Sequence, residues 1–164
     1  VIRDMENVSV ANYNCPGQIV ITGETKAVEK AAEALKEAGA KRAVMLNVSG
    51  PFHSPMMKPA GEELAKVLEK TELSELQIPY VTNVTAEYVS DISETKALLA
   101  EQVASSVRWQ ESMERMIAEG VDTFVEIGPG KTLAGFMRKI NRNVKMYNIG
   151  TWEDVEKVTA ELLA

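Results

Sequence analysis

The only histidine of the chain, His53, lies in the pentapeptide GPFHS at residues 50–54. Imidazole is the side chain whose unperturbed pKa lies closest to neutrality, so it can accept and return a proton as a general base and acid. Gly50, Pro51 and Pro55 predict a stiff loop around it, and loops that follow strands carry many catalytic groups. A lone histidine is also common as a structural turn residue, whose ring bonds a carbonyl group or caps a helix.

A general base needs a nucleophile, and no serine of the chain has the sequence context of one. The Gly-x-Ser-x-Gly elbow, in which a strand turns sharply into a helix, occurs nowhere in the sequence. Ser54 adjoins His53, but the side chains of neighbouring residues usually diverge. The residues alone therefore predict a proton acceptor without a partner to activate.

Two other segments contain polar residues that could bind a substrate. Residues 12–18 (NYNCPGQ) form an amide-rich turn, which is either a plain hairpin or a set of amides that line a cleft beside a polar substrate. Residues 126–132 (EIGPGKT) resemble the end of a phosphate-binding loop, but that motif requires glycine at position 125, where this chain has valine. We therefore interpret the second segment as a strand-to-helix turn in which Glu126 needs a hydrogen-bonding partner.

The composition excludes several classes of function. Of the 164 residues, 45% are apolar and 26% charged, as in an ordinary globular protein. The net charge of −6 argues against general nucleic-acid binding, and no apolar run approaches the length that spans a membrane. The single cysteine excludes an internal disulfide and fits a reducing compartment, so we expect a cytoplasmic protein without nucleic acid or membrane as a partner. One cysteine and one histidine cannot form a zinc site.

The stretch from Ile127 to Thr151 contains no acidic residue but five basic ones. A basic patch on an acidic protein could bind an acidic partner. A solvated helix face is the more common reason for such a cluster.

Apolar periodicity and turn residues predict an α/β chain. The first part is predicted to contain strands at 8–13 and 18–22, a helix at 26–38 that stops at Gly39, and a strand at 42–48. This β-β-α-β order is that of a ferredoxin-like lobe without its first strand and most of its first helix. We therefore expect the chain to be a truncated piece of a longer one.

The remainder is predicted to alternate between helices and strands. Helices are expected at about 57–70, after Asp91, at 109–120, at 133–140 and from 153, and strands at 78–84, near Tyr88, at 121–127 and at 144–149. Asp91 and Glu94 have the spacing of a capping box. The alternation predicts a mostly parallel, helix-covered sheet.

Together these pieces resemble one family, the malonyl-CoA:acyl carrier protein transacylases that load malonyl units for fatty acid synthesis. The matching stretches run in the family's order: VANYNCPGQIVITG, AGAKRAVMLNVSGPFHSPMM, YVTNV, AEQVASSVRWQESM and FVEIGPGKTLAGFMRK. The resemblance implies that residues 1–46 form an incomplete ferredoxin-like subdomain. It also implies that residues 47–164 form the carboxyl-terminal part of a parallel α/β-hydrolase-like acyltransferase domain.

The resemblance also implies roles for individual residues. His53 becomes the general base and acid, and Gln102 supplies the main-chain carbonyl that orients it. Phe52 matches the malonyl-selective form of related acyltransferases, and Asn12 and Asn14 resemble residues near the mouth of the substrate cleft.

Family members carry their serine nucleophile in Gly-His-Ser-Leu-Gly, a malonate-binding arginine and an oxyanion-hole glutamine in the amino-terminal half. None of these occurs in this chain, so we expect it to be inactive alone and to need that half as a partner. Coenzyme A thioester and acyl carrier protein are the implied substrates, with no resident cofactor.

Two other interpretations stay open at this point. The chain could be a non-catalytic ferredoxin-like binding module fused to an α/β remnant, which the absent nucleophile favours. It could also be a piece of a modular polyketide acyltransferase, which would differ mainly in its flanking domains.

Overall fold

The computed structural model describes residues 1–164 as six strands and six helices, which come in pairs of strands and pairs of helices up to Ala118 and alternate singly from Thr123 onward. The strands are β1 (Val8–Cys15), β2 (Gln18–Gly23), β3 (Tyr80–Val81), β4 (Tyr88–Val89), β5 (Thr123–Ile127) and β6 (Lys145–Ile149). The helices are α1 (Thr25–Glu37), α2 (Lys58–Glu69), α3 (Thr95–Gln102), α4 (Trp109–Ala118), α5 (Thr132–Ile140) and α6 (Trp152–Leu162). Short 3-10 turns precede α2 and α3, at Pro55–Met57 and Ile92–Glu94. None of the helices is both long and apolar enough to cross a membrane.

The strands pair two by two. β1 and β2 form the antiparallel hairpin that the amide-rich turn predicts, with Cys15 opposite Gln18 at its tip. β3 and β4 are also antiparallel, and only β5 and β6 run parallel. The α/β class is confirmed, whereas the prediction of a mostly parallel sheet is wrong for the described chain. A parallel pair needs a crossover helix, and within these residues only α5 connects two paired strands in that way.

The predicted strand at 42–48 is absent from the structure. These residues pair with no other strand, and Val44, Met45, Leu46 and Val48 are all more than half exposed. Residues 78–84 likewise shorten to the two residues of β3. A strand exists only where a neighbour accepts its hydrogen bonds, so an apolar, β-branched segment stays unpaired when no strand lies beside it. The β-β-α-β lobe is therefore seen as β-β-α followed by an extended segment.

The hairpin is tied to the middle of the chain through β1. The amide of Tyr13 donates to the carbonyl of Val107 at 2.9 Å, and the amide of Val107 donates to Ala11 at 2.7 Å. The hydroxyl of Ser106 adds a bond to the carbonyl of Val10 at 2.6 Å. These bonds place the strand that carries Asn12 against the segment between α3 and α4. The small core around it includes Ala11, Cys15, Met113, Ala134 and Met137.

The helix caps of the structure agree only in part with those that the sequence predicts. Asp91 accepts a hydrogen bond from the amide of Ser93 at 2.8 Å, but it caps the 3-10 turn and not α3 itself. The capping box of the structure lies at α6, where Thr151 and Asp154 bond each other's backbone amides. Gly39, which the sequence predicts as a helix stop, follows α1 with a φ of 102°.

Helices α2 and α3 approach each other so closely that no side chain fits between them at Gly61. A Cβ atom at this buried glycine would lie 2.8 Å from the carbonyl oxygen of Ala100 and 3.7 Å from the Cβ of Val103. Such a contact would force the helices apart, since Ala100 offers rigid backbone there. The spacing of the two helices matters because the candidate site residues lie just before α2 and at the end of α3.

We predict that Gly61→Ala destabilises the protein although alanine is the better helix former. The clash with Ala100 outweighs a propensity gain of about 1 kcal/mol and leaves a net loss of about 1–2 kcal/mol. Gly135→Ala is the matched control, because a Cβ at this α5 glycine meets nothing within 4 Å. Urea unfolding of both variants should therefore give shifts of opposite sign. Equal shifts would contradict the close approach of α2 to α3.

Candidate active site

The imidazole of His53 lies against the carboxyl-terminal end of α3. Its Nδ1 atom is 3.1 Å from the main-chain oxygen of Gln102, the last residue of that helix. The last carbonyl groups of a helix have no intrahelical partner, and this oxygen accepts only a long bond from the amide of Ser105, at 3.4 Å, so a lone pair is left for the imidazole. The structure thus brings together two residues that are 49 positions apart in the sequence.

The contact favours one tautomer of the ring. A carbonyl oxygen can only accept, so Nδ1 satisfies it when it carries the proton, and Nε2 then keeps its lone pair. The side-chain amide of Gln102 lies 3.3 Å from Nδ1 and also 3.3 Å from the carbonyl oxygen of Ser105. With the Nδ1–H form, the ring donates to the Gln102 carbonyl and the amide donates to Ser105, so both donors are used. Nε2 is thereby prepared to accept a proton from an outside group.

The backbone at His53 is unusual. Its φ of 58° lies in the left-handed region, which few residues other than glycine adopt, although asparagine, aspartate and histidine do so more often than the rest. A bulky residue held in this region costs of order 1–3 kcal/mol and persists only where its surroundings enforce it. Such positions cluster at active sites and ligand clamps.

Phe52 is half exposed and its ring folds back over the loop. A Cβ at Gly50 would lie 3.5 Å from the Cε2 and Cζ atoms of that ring, which therefore rests on the Gly50 backbone. With 51% of its surface exposed, Phe52 stands at the open side of the loop beside His53.

Asn12 and Asn14 lie on β1, away from direct contact with the imidazole. Asn12 faces Val107, five residues after Gln102, through an isolated parallel bridge. Both asparagines are half-buried, and neither side chain makes a hydrogen bond within the chain. The structure thus places Asn12 next to the segment that follows Gln102 but does not join either asparagine to His53.

A second polar cluster centres on Glu126 in β5. Its carboxylate accepts bonds from the amides of Leu133 at 3.1 Å and Ala134 at 2.9 Å, at the first turn of α5. Asn148 on the neighbouring strand donates a third at 2.8 Å. Desolvation raises the pKa of Glu126, but the bonds from Ala134, Leu133 and Asn148 outweigh it and lower that pKa below its ordinary value. This carboxylate holds the helix start to the sheet and lies outside the imidazole site.

Sequence reasoning found the need for a partner at Glu126 but not its identity. Asn148 is an ordinary amide in a short strand, and only the parallel register that sets it opposite Glu126 gives it a role. Within the chain no group of three or more His, Cys, Asp and Glu side chains lies close enough to hold a metal ion. The arrangement at His53 can accept and return a proton, and a nucleophile has to come from outside these residues.

Comparison with known proteins places this geometry in context. The model of the acyl transferase domain family matches residues 1–159. A malonyl CoA-acyl carrier protein transacylase of Bacillus subtilis is 50% identical over 149 residues, which are 91% of this chain and 47% of the relative. The chain spans about half the length of the curated relatives it matches.

Solved structures of malonyl-transacylases also superpose on this chain. A malonyl CoA-acyl carrier protein transacylase from Clostridium perfringens superposes with a TM-score of 0.89 at 46% identity, over 95% of this chain and 49% of that one. A malonyl-transacylase in complex with a type II polyketide synthase acyl carrier protein superposes with a TM-score of 0.92 at 38% identity, over 98% of this chain and 52% of that one.

The lowered pKa of Glu126 predicts how its contribution to stability changes with pH. A carboxyl group with a lower pKa in the folded than in the unfolded state stabilises the fold above the unfolded pKa, and this contribution is lost as pH falls through the folded pKa. We expect Glu126→Gln to reduce the free energy of unfolding by about 1–3 kcal/mol near pH 7, since the new amide presents a donor to the donors of α5. Urea unfolding at several pH values measures the effect.

The difference between the two proteins should shrink as pH falls below about 4. Glu62→Gln, at an exposed position of α2, is the control and should give no such pH-dependent difference. A Glu126→Gln penalty that stays constant down to acid pH would contradict the role given to the carboxylate.

Proposed function

The chain belongs to the acyl transferase domain family, and we propose that it forms the carboxyl-terminal half of a malonyl-CoA:acyl carrier protein transacylase. In this proposal residues 1–46 belong to the small ferredoxin-like subdomain and residues 47–164 to the large acyltransferase subdomain. The observation that carries the proposal is the 3.1 Å contact between Nδ1 of His53 and the main-chain oxygen of Gln102. It supports an imidazole that is oriented for proton transfer.

The proposed reaction proceeds in two acyl transfers. A serine from a part of the protein outside these residues attacks the thioester carbonyl of malonyl-CoA, while Nε2 of His53 accepts the hydroxyl proton. The tetrahedral intermediate collapses, the C–S bond breaks, and the sulfur of coenzyme A leaves as a thiol with the proton from the imidazolium. The thiol of the carrier protein's phosphopantetheine arm then attacks the acyl-serine ester, again with His53 as base. The second tetrahedral intermediate collapses, the C–O bond to serine breaks, and the imidazolium returns its proton to the serine oxygen.

The carbonyl of Gln102 takes the place that a carboxylate holds in a serine protease triad. A carbonyl oxygen is neutral, so it fixes the ring tautomer but stabilises the imidazolium less than a carboxylate would. In the first transfer the leaving group is a thiolate, which is a much weaker base than the amine that a protease expels, so its departure demands less of the acid. The geometry therefore suits thioester exchange better than amide cleavage.

Exposed apolar side chains support a second half that covers this one. Val44, Met45, Leu46 and Val48 are unburied on the unpaired segment that leads to His53. On β5, Ile127 is 77% exposed, although a strand in a parallel sheet is usually buried on both faces. We propose that the amino-terminal half pairs with the 42–48 segment and covers β5, and so delivers the serine to His53.

The acyl carrier protein is the proposed acceptor. The superposable malonyl-transacylase that was solved with a carrier protein supports an interface of this kind. Arg138 and Lys139 are exposed on α5, and Arg142 follows that helix, which gives this end of the protein a basic face. Lys139 also reaches Gln18 at the tip of the hairpin, 3.3 Å away, so the face spans both parts of the chain. A basic face of this kind suits an acidic partner.

Reconstitution tests the proposed function. The 164-residue chain is mixed with the separately produced amino-terminal half of the Bacillus subtilis relative, and transfer of malonyl from coenzyme A to acyl carrier protein is followed. We expect transfer from the mixture and none from either half alone. His53→Ala in this chain should lower the rate by about 10²–10⁴-fold, because general base catalysis contributes that much.

Circular dichroism of each mixture controls for folding. Near-normal transfer by His53→Ala would remove the base assignment. A well-folded complex without activity would favour a non-catalytic binding module instead.

Phe52 is the proposed determinant of acyl-group choice, because its bulky ring beside the base leaves little room for a methyl branch on the α-carbon of the acyl group. We expect Phe52→Ser to raise the ratio of methylmalonyl to malonyl transfer by about 5–150-fold, since one steric contact discriminates by about 1–3 kcal/mol. Met56→Ser removes another exposed apolar side chain from the same loop and should leave the ratio unchanged. Competition between the two thioesters measures it, and an unaltered ratio in Phe52→Ser would refute the assignment.

A further inference from the structure

The residue after the base, Ser54, is unusually buried for a polar side chain. It is 1% exposed and is one of the two largest side chains in the protein that are fully buried. Its hydroxyl donates to the carbonyl oxygen of Pro51 at 2.7 Å. The bond therefore connects the residue that follows His53 to the residue that precedes Phe52.

The direction of this bond runs against the usual preference of serine. Ser54 is the residue that precedes the 3-10 turn at Pro55–Met57, a position where a serine oxygen normally accepts a bond from the next turn's amides. Here the side chain makes no such cap. The hydroxyl is instead turned back toward Pro51, so a local stabilisation of about 1 kcal/mol is given up for another contact.

That contact spans a turn of four residues. In a β-turn the amide of the fourth residue donates to the carbonyl of the first, and the third residue of some types has a positive φ. From Pro51 to Ser54 the chain makes such a turn, with His53 as its third residue at a φ of 58°, and the serine hydroxyl donates to the carbonyl of its first residue. The hydrogen bond thus links Pro51 and Ser54, the residues on the two sides of the segment that contains His53.

We propose that Ser54 is a positioning residue for the base: its hydroxyl locks His53 in the left-handed conformation from which Nδ1 reaches the Gln102 carbonyl. The proposal rests on the proposed function of His53. Without the lock, His53 relaxes to a negative φ, which turns its Cα–Cβ bond and carries the ring away from α3. The ring then loses the acceptor that keeps its proton on Nδ1.

The single histidine gives a readout that a merely structural residue would not move. Nitrogen NMR of the ¹⁵N-histidine-labelled chain reports which ring nitrogen of His53 carries the proton at a pH where the ring is neutral. We expect the Nδ1–H form to dominate in the unaltered chain. In Ser54→Ala the Nε2–H form, which free imidazole side chains prefer in water, should become the major one.

Ser112→Ala is the matched control. Ser112 is 2% exposed and its hydroxyl also donates to a main-chain oxygen, that of Arg108 at 2.9 Å, within α4 and far along the chain from His53. Its loss should cost similar stability and leave the tautomer of His53 unchanged. A shift of the same size in both variants would overturn the positioning role.

Kinetics of the reconstituted enzyme give the second readout. Ser54→Ala should lower kcat by about 10–100-fold with little change in KM, because a misplaced base slows the chemistry but leaves substrate contacts in place. Ser54→Thr and Ser54→Val introduce isosteric side chains, and only threonine has a hydroxyl. Both β-branched residues suit the extended backbone at this position, where φ is −129° and ψ is 162°. Threonine should restore the Nδ1–H form and kcat relative to valine.

The outcomes separate this inference from the proposed function. Equal kcat and equal tautomer populations in the threonine and valine variants overturn the role of Ser54, even if Ser54→Ala fails to fold. Transfer that survives His53→Ala overturns the proposed function itself. If His53→Ala lowers transfer strongly while the Ser54 hydroxyl changes neither kcat nor the tautomer, the base assignment stands and the positioning role of Ser54 is overturned.

Discussion

The hydrogen bond between His53 and the Gln102 carbonyl depends on how closely α2 approaches α3. His53 lies in the loop that leads into α2, and Gln102 is the last residue of α3. Gly61 brings the two backbones into contact, so main-chain packing sets how far the loop that carries His53 lies from the Gln102 carbonyl. A carbonyl at a helix end has no rotamers, and it aims the ring without the entropy cost of ordering a second long side chain.

The imidazole and the helix α5 have hydrogen-bond acceptors of different charge. The amino-terminal end of α5 binds a carboxylate, that of Glu126, which accepts bonds from two helix amides and from the Asn148 side chain of β6. A negative group is stabilised at a helix amino terminus by the same unpaired amides that it serves. The base instead meets only a dipole. The carboxylate of Glu126 therefore serves the structure, whereas the imidazole of His53 is the group that can gain and lose a proton.

The errors of the sequence-based prediction have a common cause. Local signals predicted the structure correctly where it is local, as in the hairpin turn and the helix stop at Gly39. Residues 42–48 have the composition of a strand, but pairing is a property of two segments and the described chain offers no neighbour. The same reasoning applies to the parallel sheet, of which these residues contain one pair.

The sequence alone determined that one imidazole lies in a stiff loop, that no serine has a nucleophile's context, and that Glu126 requires donors. These follow from residue types and nearest neighbours, whose chemistry does not depend on distant parts of the chain. Only the tertiary structure decided that Gln102 accepts from His53, that Asn148 donates to Glu126, and that Ser54 turns its hydroxyl back to Pro51. Except for the last, these contacts join residues far apart in sequence, and the last reverses a local preference, so packing and not propensity selects them.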